Sequence, residues 1–128
     1  MVIDTSALVA IFLGEPERPQ FLEAITQSGT SRMSAANVLE AGIVLEARRG
    51  EAAGQNLDVF LQQANAEIVP VDAEQAAIAR RAWRMVGKGR HPAALNFGDC
   101  FAYALAKFLN EPLLAKGNDF TQTDIKVY

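Results

Sequence analysis

Four acidic residues of this chain have the types and surroundings that metal-assisted chemistry requires. Asp4 ends the apolar run MVI, and Glu40 lies in the mostly apolar stretch SAANVLEAGIVLEA. Asp99 precedes the apolar run CFAYALA, and Asp119 follows the turn residues GN. Carboxylates gathered in a partly buried place repel one another, which favours protonation or a bound cation. Because oxygen ligands without His or Cys partners suit Mg²⁺ or Mn²⁺, these acids predict a divalent metal site if the fold brings them together.

The elements around these acids alternate between strands and helices, which predicts an α/β fold with a mostly parallel sheet. The predicted strands cover residues 1–4, 30–33, 66–71, 112–115 and 125–128. The predicted helices cover residues 6–13, 16–28, 34–49, a stretch around 57–61, 72–86 and a stretch from 96 onward. Ser34, Asp72 and Asn96 are the expected N-caps, and Asp72 forms a capping box with Gln75.

This topology predicts that the four acids meet at one edge of the sheet. In a parallel sheet with right-handed crossovers, each helix that follows a strand begins at the carboxyl edge, where ligands bind. Asp4 ends the first strand, and Glu40 lies in the first two turns of the helix after the second strand. Asp99 is in the first turn of the helix that leads into the fourth strand, and Asp119 follows that strand.

Three of these acids also have purely structural explanations. Asp4 could cap the helix that follows it, and Asp99 could complete a capping box with Asn96. Asp119 could be an ordinary turn residue. Glu40 is harder to explain in this way, because it lies on a helix face with little other polarity. The joint pattern, more than any single acid, therefore favours a metal site.

The composition favours one soluble domain over residues 1–128. Half of the residues are apolar, the net charge is −3 and the isoelectric point is about 5.1, which argues against holding nucleic acid by a bulk positive field. No apolar run approaches the roughly 20 residues of a membrane span, and no secretory signal is recognisable. With Cys100 as the single cysteine, an intrachain disulfide and a Cys-based zinc site are excluded. These observations favour the cytoplasm.

Four segments together resemble the PIN-domain ribonucleases, specifically the VapC toxins of bacterial VapBC toxin–antitoxin pairs. They are VIDTSALVA, NVLEAGIVLEAR, LNFGDCFAYALAK and LLAKGNDF, in the order and spacing of that family. The resemblance implies a three-layer α/β/α fold and a Mg²⁺-dependent endoribonuclease that hydrolyses RNA phosphodiester bonds, with Mn²⁺ as a possible substitute. It implies that Asp4 and Asp99 bind the ion directly. Glu40 and Asp119 would act through its waters or hold a second ion.

The resemblance also implies further residues and partners. The hydroxyls of Thr5 and Ser6 would orient the site, a VapB-like antitoxin would inhibit the enzyme, and the chain would form a homodimer. Many relatives carry an additional acid or Asn one or two positions before Asp119, where this chain has Gly117 and Asn118. Whether Asp119 or Asp124 completes the acidic site is therefore open.

Three cations near the predicted site are candidate contacts for RNA phosphates. Lys88 and Arg90 lie in the polar loop before the helix of Asp99, and Lys116 lies close to Asp119. Two other functions are compatible with parts of the pattern. A non-catalytic α/β partner-binding module would have the same fold, although it would not need all four acids. An aspartyl-phosphate phosphatase or receiver-like domain also has Asp at the end of its first strand, but DTS lacks the second Asp of a DxD motif.

Overall fold

The computed structural model describes all residues from 1 to 128 and shows a parallel sheet between two layers of helices. Its strands are β1 (Val2–Ile3), β2 (Arg32–Ser34), β3 (Glu67–Val69) and β4 (Leu113–Leu114). Its helices are α1 (Thr5–Phe12), α2 (Arg18–Ser28), α3 (Ala35–Arg49), α4 (Glu51–Gln63), α5 (Ala73–Val86) and α6 (Phe97–Leu109), followed by a 3₁₀ turn (Phe120–Gln122). None of the helices combines the length and apolar composition that crossing a membrane requires.

The sheet has the order β3-β2-β1-β4, and every strand pair is parallel. Successive side chains of a strand point to opposite faces, so each strand contributes to both layers. Val2 packs with the α5 and α6 side, whereas Ile3 packs with the α1 to α4 side. Leu113 and Leu114 divide in the same way. The predicted three-layer α/β/α architecture with a parallel sheet is therefore confirmed.

The sheet explains why the helices begin where they do. Because β1 and β2 run in parallel and each leads into a helix, α1 and α3 start at the same edge of the sheet. Helix α6 packs against β1, β2 and α3, although it comes from the opposite layer. Its first turn therefore lies near the starts of the other two helices, as the predicted convergence of the acids requires.

The predicted strand 125–128 is wrong in its extent. Only one parallel bridge forms, between Leu113 and Val127. The neighbouring carbonyls of Pro112 and Leu114 point to β1, where they accept from Val2 N and Asp4 N. Because hydrogen-bonding groups alternate in direction along a strand, only Leu113 presents its N–H and C=O to the outer edge.

Two predicted N-caps differ from the expected arrangement. Ser34 precedes α3, but its hydroxyl is fully buried and makes no capping bond. Ser34 is also the last residue of β2, paired with Val69, so the strand sets the direction of its side chain. Asp72 does cap α5 by accepting from Gln75 N, but the Gln75 amide donates to Pro70 O, so the reciprocal half of the capping box does not form.

Candidate metal centre

Asp4 lies at the junction of β1 and α1 and is held from several sides. Its backbone N–H donates to Leu114 O, which ties it to β4. Its Oδ2 accepts from Ser6 N at 2.9 Å and from Ser6 Oγ at 2.6 Å, so Asp4 is also the N-cap of α1. Its Oδ1 is buried and has no hydrogen-bond donor. The structural and the functional explanations of Asp4 are therefore compatible, because each uses a different oxygen.

The hydroxyls after Asp4 have different surroundings. Ser6 Oγ accepts from Lys116 N at 2.9 Å, which leaves its proton for Asp4 Oδ2. The Ser6 hydroxyl thus fixes the orientation of the Asp4 carboxylate. Thr5 Oγ1 instead donates to Asn37 O at 3.3 Å, which ties α1 to the first turn of α3. Ser6 contacts the acid directly, whereas Thr5 contacts the helix that carries Glu40.

Glu40 projects from α3 to the first turn of α6. A Cβ placed at Gly98 would lie 2.0 Å from Glu40 Oε2, so only glycine leaves room for this carboxylate. The Asn37 side chain, one turn earlier on α3, lies against Gly98 and Glu40 as well. Glu40 therefore reaches α6 immediately beside Asp99.

Asp99 forms the capping box that its structural explanation predicts. Asn96 Oδ1 accepts from Asp99 N, and Asp99 Oδ2 accepts from Asn96 N, both at 2.9 Å. The pKa of Asp99 is raised from 3.8 to about 6, mainly by burial and in part by the charges of three neighbouring acids, Asp4, Asp119 and Glu40, while the bond with Asn96 opposes the shift. Asp99 is thus a cap and also a member of the acidic cluster.

Asp119 and Asp124 are placed differently with respect to this cluster. Asp119 is exposed at the start of the 3₁₀ turn, close enough to affect the pKa of Asp99. Asp124 accepts from Tyr103 Oη at 2.6 Å and from Lys107 Nζ at 2.8 Å, and these bonds lower its pKa. The sequence left open which of these two acids joins the cluster. The geometry brings Asp119 to the cluster, whereas Asp124 is held by two side chains of α6, Tyr103 and Lys107.

The acidic cluster fits a hard divalent cation, although no three His, Cys, Asp or Glu side chains lie close enough to form a complete ligand group. Burial is the main cause of a raised pKa for Asp4, and the charge of Glu40 adds to it. The unpartnered Asp4 Oδ1 is a buried acceptor that a cation would satisfy. Oxygen-only donors suit Mg²⁺ or Mn²⁺. Neighbouring carboxylates repel one another, and a cation offsets that repulsion.

The three predicted phosphate contacts are not equivalent. Lys88 and Arg90 are exposed, and the Arg90 guanidinium lies 4.2 Å from the centre of the Trp83 ring. The sequence predicts Lys116 as a contact for RNA phosphate. In the structure its ammonium instead forms ion pairs with Glu15 and Glu17. The two acids lie in the loop between α1 and α2, and their proximity to Lys116 depends on the fold, so the sequence does not indicate this pairing.

Asn37 and Gly98 were not among the residues singled out from the sequence. Both are buried in the contact between α3 and α6. A sequence signal was present in each case, since Asn37 is a polar residue in an otherwise apolar helix segment and Gly98 is a glycine inside a helical first turn. Neither signal indicates which neighbour the residue contacts.

Comparisons with known proteins find relatives that match nearly the whole chain. The PIN domain family model matches residues 1–126. Ribonuclease VapC30 of Mycobacterium tuberculosis (strain H37Rv) is 52% identical over 125 residues, which cover 98% of this chain and 95% of that protein. Ribonuclease VapC of Mycolicibacterium smegmatis is also 52% identical over 125 residues, covering 98% of this chain and 97% of that protein.

Solved structures share the fold at much lower sequence identity. M. tuberculosis VapC20, described as a sarcin-ricin loop cleaving toxin, has a TM-score of 0.78 and 17% identity, covering 97% of this chain and 95% of that chain. VapBC2 from Rickettsia felis, solved with a promoter DNA fragment, has a TM-score of 0.75 and 17% identity, covering 98% of this chain and 94% of that chain. The chain belongs to the PIN-domain family. Within that family it belongs with the VapC ribonucleases, which it matches over nearly its whole length.

Proposed function

We propose that the chain is the toxin of a type II toxin–antitoxin pair and hydrolyses RNA phosphodiester bonds with Mg²⁺ held by the acidic cluster. The observation that carries this proposal is Asp4 Oδ1, a buried carboxylate oxygen without a donor in a site with three further carboxylates. Such an oxygen is costly in an apolar interior and useful as a metal ligand.

Asp4 and Asp99 are the proposed direct ligands. Each uses Oδ2 for a backbone cap, which fixes the carboxylate on a rigid helix start and leaves Oδ1 for the ion. Glu40 and Asp119 are the proposed ligands of its waters or of a second ion, since Glu40 reaches the site from α3 and Asp119 lies at its exposed side. Ser6 orients Asp4, and Thr5 ties α1 to α3.

A bound Mg²⁺ lowers the pKa of water and offsets negative charge on the phosphate. The chain's own contribution is to hold anionic oxygens on three helix starts and one turn, so that an RNA phosphate approaches from the exposed side near Asp119. Lys88 and Arg90, exposed in the loop that precedes α6, are the proposed contacts to flanking phosphates. Lys116 contributes its backbone N–H to Ser6, and its ammonium is already paired.

The proposed partners are a cognate VapB-like antitoxin and a second copy of this chain, with the cytoplasm as the expected location. Solved neighbours support the antitoxin, since one is a toxin-antitoxin complex from Klebsiella pneumoniae (TM-score 0.74). Exposed apolar side chains on α3 and α6 support a homodimer: Leu39 and Ile43 are more than half exposed, and Phe97 is 81% exposed. Light scattering of the purified chain tests the dimer, and a monomer at micromolar concentration would contradict it.

A growth assay tests the toxin function. Induced expression of the wild-type chain should arrest growth, and co-expression of its cognate antitoxin should restore growth. Asp4→Asn should abolish the arrest, whereas the control Asp124→Asn should retain it, because Asp124 lies outside the cluster. Equal arrest by wild type and Asp4→Asn would contradict the proposal. No arrest by any variant, with the protein present in soluble form, would favour the non-catalytic binding module.

A further inference from the structure

The amide of Asn37 is a fully buried polar group between the helices that carry two of the acids. It lies in the first turn of α3 with 0% of the residue exposed. Its Nδ2 donates to Gly98 O at 2.9 Å, and Glu40 Oε1 is 3.4 Å from the same nitrogen. One side chain therefore contacts both the carboxylate of Glu40 and the residue that immediately precedes Asp99.

The direction of this amide is fixed by its partners. Gly98 O and Glu40 Oε1 are both acceptors, so the NH₂ group must face them, and a flipped amide would place its oxygen against two oxygens. The bond to Gly98 O has an ordinary length and is buried, and it holds the amide so that the second N–H points to Glu40. The missing Cβ of Gly98 provides the space in which Glu40 Oε2 lies.

The amide of Asn37 has both a cost and a benefit for stability. Asn37 Oδ1 is buried and has no donor, and a buried acceptor without a partner destabilises the folded state. An apolar side chain of similar size would avoid that cost but would lose the buried bond to Gly98 O. What an apolar side chain could not supply is the pair of donor contacts that place the Glu40 carboxylate relative to the start of α6.

We propose that Asn37 is a positioning residue that holds the Glu40 carboxylate toward the metal centre, using the carbonyl of Gly98 as its anchor. This inference rests on the proposed function, because it assumes a divalent ion at the acidic cluster. Asn37 makes no hydrogen bond to Asp4. It acts through Glu40, as residues that orient metal ligands do in other metal sites.

The test is Mn²⁺ binding, measured by calorimetry and by the electron paramagnetic resonance signal of free Mn²⁺. Asn37→Leu removes the amide at nearly constant size and should lower the Mn²⁺ affinity about tenfold or more, within the range known for residues that orient metal ligands. Gln75→Met is the matched control, because Gln75 is also buried and its amide donates to one carbonyl, Pro70 O, without a contact to Glu40 or Gly98. The control should bind Mn²⁺ within about twofold of wild type.

A double-mutant cycle shows whether Asn37 acts through Glu40. In the Glu40→Gln background, Asn37→Leu should change the Mn²⁺ affinity less than about threefold. Asn37→Ser, which is too short to reach Glu40, serves as a second variant and should reproduce the loss if Asn37→Leu does not fold.

The outcomes distinguish the positioning role of Asn37 from the proposed metal-dependent function. Mn²⁺ affinity of the folded Asn37 variant within about twofold of wild type would overturn the inference and leave the metal site intact. A full tenfold loss that persists in the Glu40→Gln background would also overturn it, since the effect would not pass through Glu40. No Mn²⁺ binding by the wild-type chain would refute the proposed function itself, and this inference with it.

Discussion

Replacing Asp99 with asparagine should stabilise the metal-free protein at neutral pH. The carboxylate is partly buried among three other acids, and its pKa is raised from 3.8 to about 6. An acid with a raised pKa in the folded state binds its proton more tightly there than in the unfolded chain. The stability that it supplies is therefore complete below about pH 4 and is lost as the pH rises to about 6.

The magnitude follows from the distance between these two pKa values. They differ by about two pH units, and each unit corresponds to about 1.4 kcal/mol. Because Asp99 is only partly buried, solvent screens part of this effect, and ionised Asp99 lowers the free energy of unfolding by about 1–2 kcal/mol. Asparagine keeps a side-chain oxygen that can accept from Asn96 N, so the helix cap survives. We expect a gain of about 1–2 kcal/mol at pH 7.5, or roughly 4–7 °C in Tm for a chain of this length.

The assay is urea unfolding at pH 7.5 and pH 4.5 in the presence of EDTA. The stabilisation of Asp99→Asn should be largest at pH 7.5 and should shrink strongly at pH 4.5, where Asp99 is protonated in the folded wild type. Asp58→Asn is the control, because Asp58 is an exposed acid of α4, and its effect should stay within about 0.5 kcal/mol. A gain that is absent at pH 7.5, or equal at both pH values, would refute the reasoning.

Three further predictions concern RNA cleavage and binding by purified protein. Gly98→Ala should lower the cleavage rate by about 10–100-fold, because a Cβ would displace the Glu40 carboxylate. Circular dichroism should show that the variant keeps its fold, and an unchanged cleavage rate would show that Glu40 is not part of the site. Asp119→Asn should slow cleavage, whereas Asp124→Asn should not, since Tyr103 and Lys107 hold Asp124 away from the cluster; the reverse result would exchange their roles. Lys88→Ala with Arg90→Ala should weaken RNA binding more at low salt than at high salt, as fluorescence anisotropy would show; binding that does not change would exclude this loop from the RNA interface.

The position of the acidic cluster could be predicted from the sequence because it depends on topology. Asp4 follows a strand, Asp99 opens a helix and Glu40 lies early in a helix, so a parallel sheet brings them to one edge whatever the details of packing. The capping roles of Asp4 and Asp99 were predictable for a different reason, since they depend only on residues within three positions.

Contacts between distant residues could not be predicted in this way. The ion pairs of Lys116 with Glu15 and Glu17 form across about a hundred residues of sequence and depend on how the loop after α1 lies beside β4. The role of Asn37 depends on a single carbonyl of α6, which no periodicity reveals. The reduction of the predicted last strand to one bridge depends on the short length of β4, since only Leu113 faces outward.

The most direct test of the account is the dependence of RNA cleavage on Mg²⁺, measured with purified wild type, Asp4→Asn and Asp124→Asn after removal of metal with EDTA. Wild type and Asp124→Asn should cleave RNA only when Mg²⁺ or Mn²⁺ is restored, and their rates should saturate as the ion is titrated. Asp4→Asn should cleave at least about 100-fold more slowly at every ion concentration, because its buried Oδ1 is the proposed ligand. Cleavage that persists in EDTA, or that Asp4→Asn retains in full, would contradict the account.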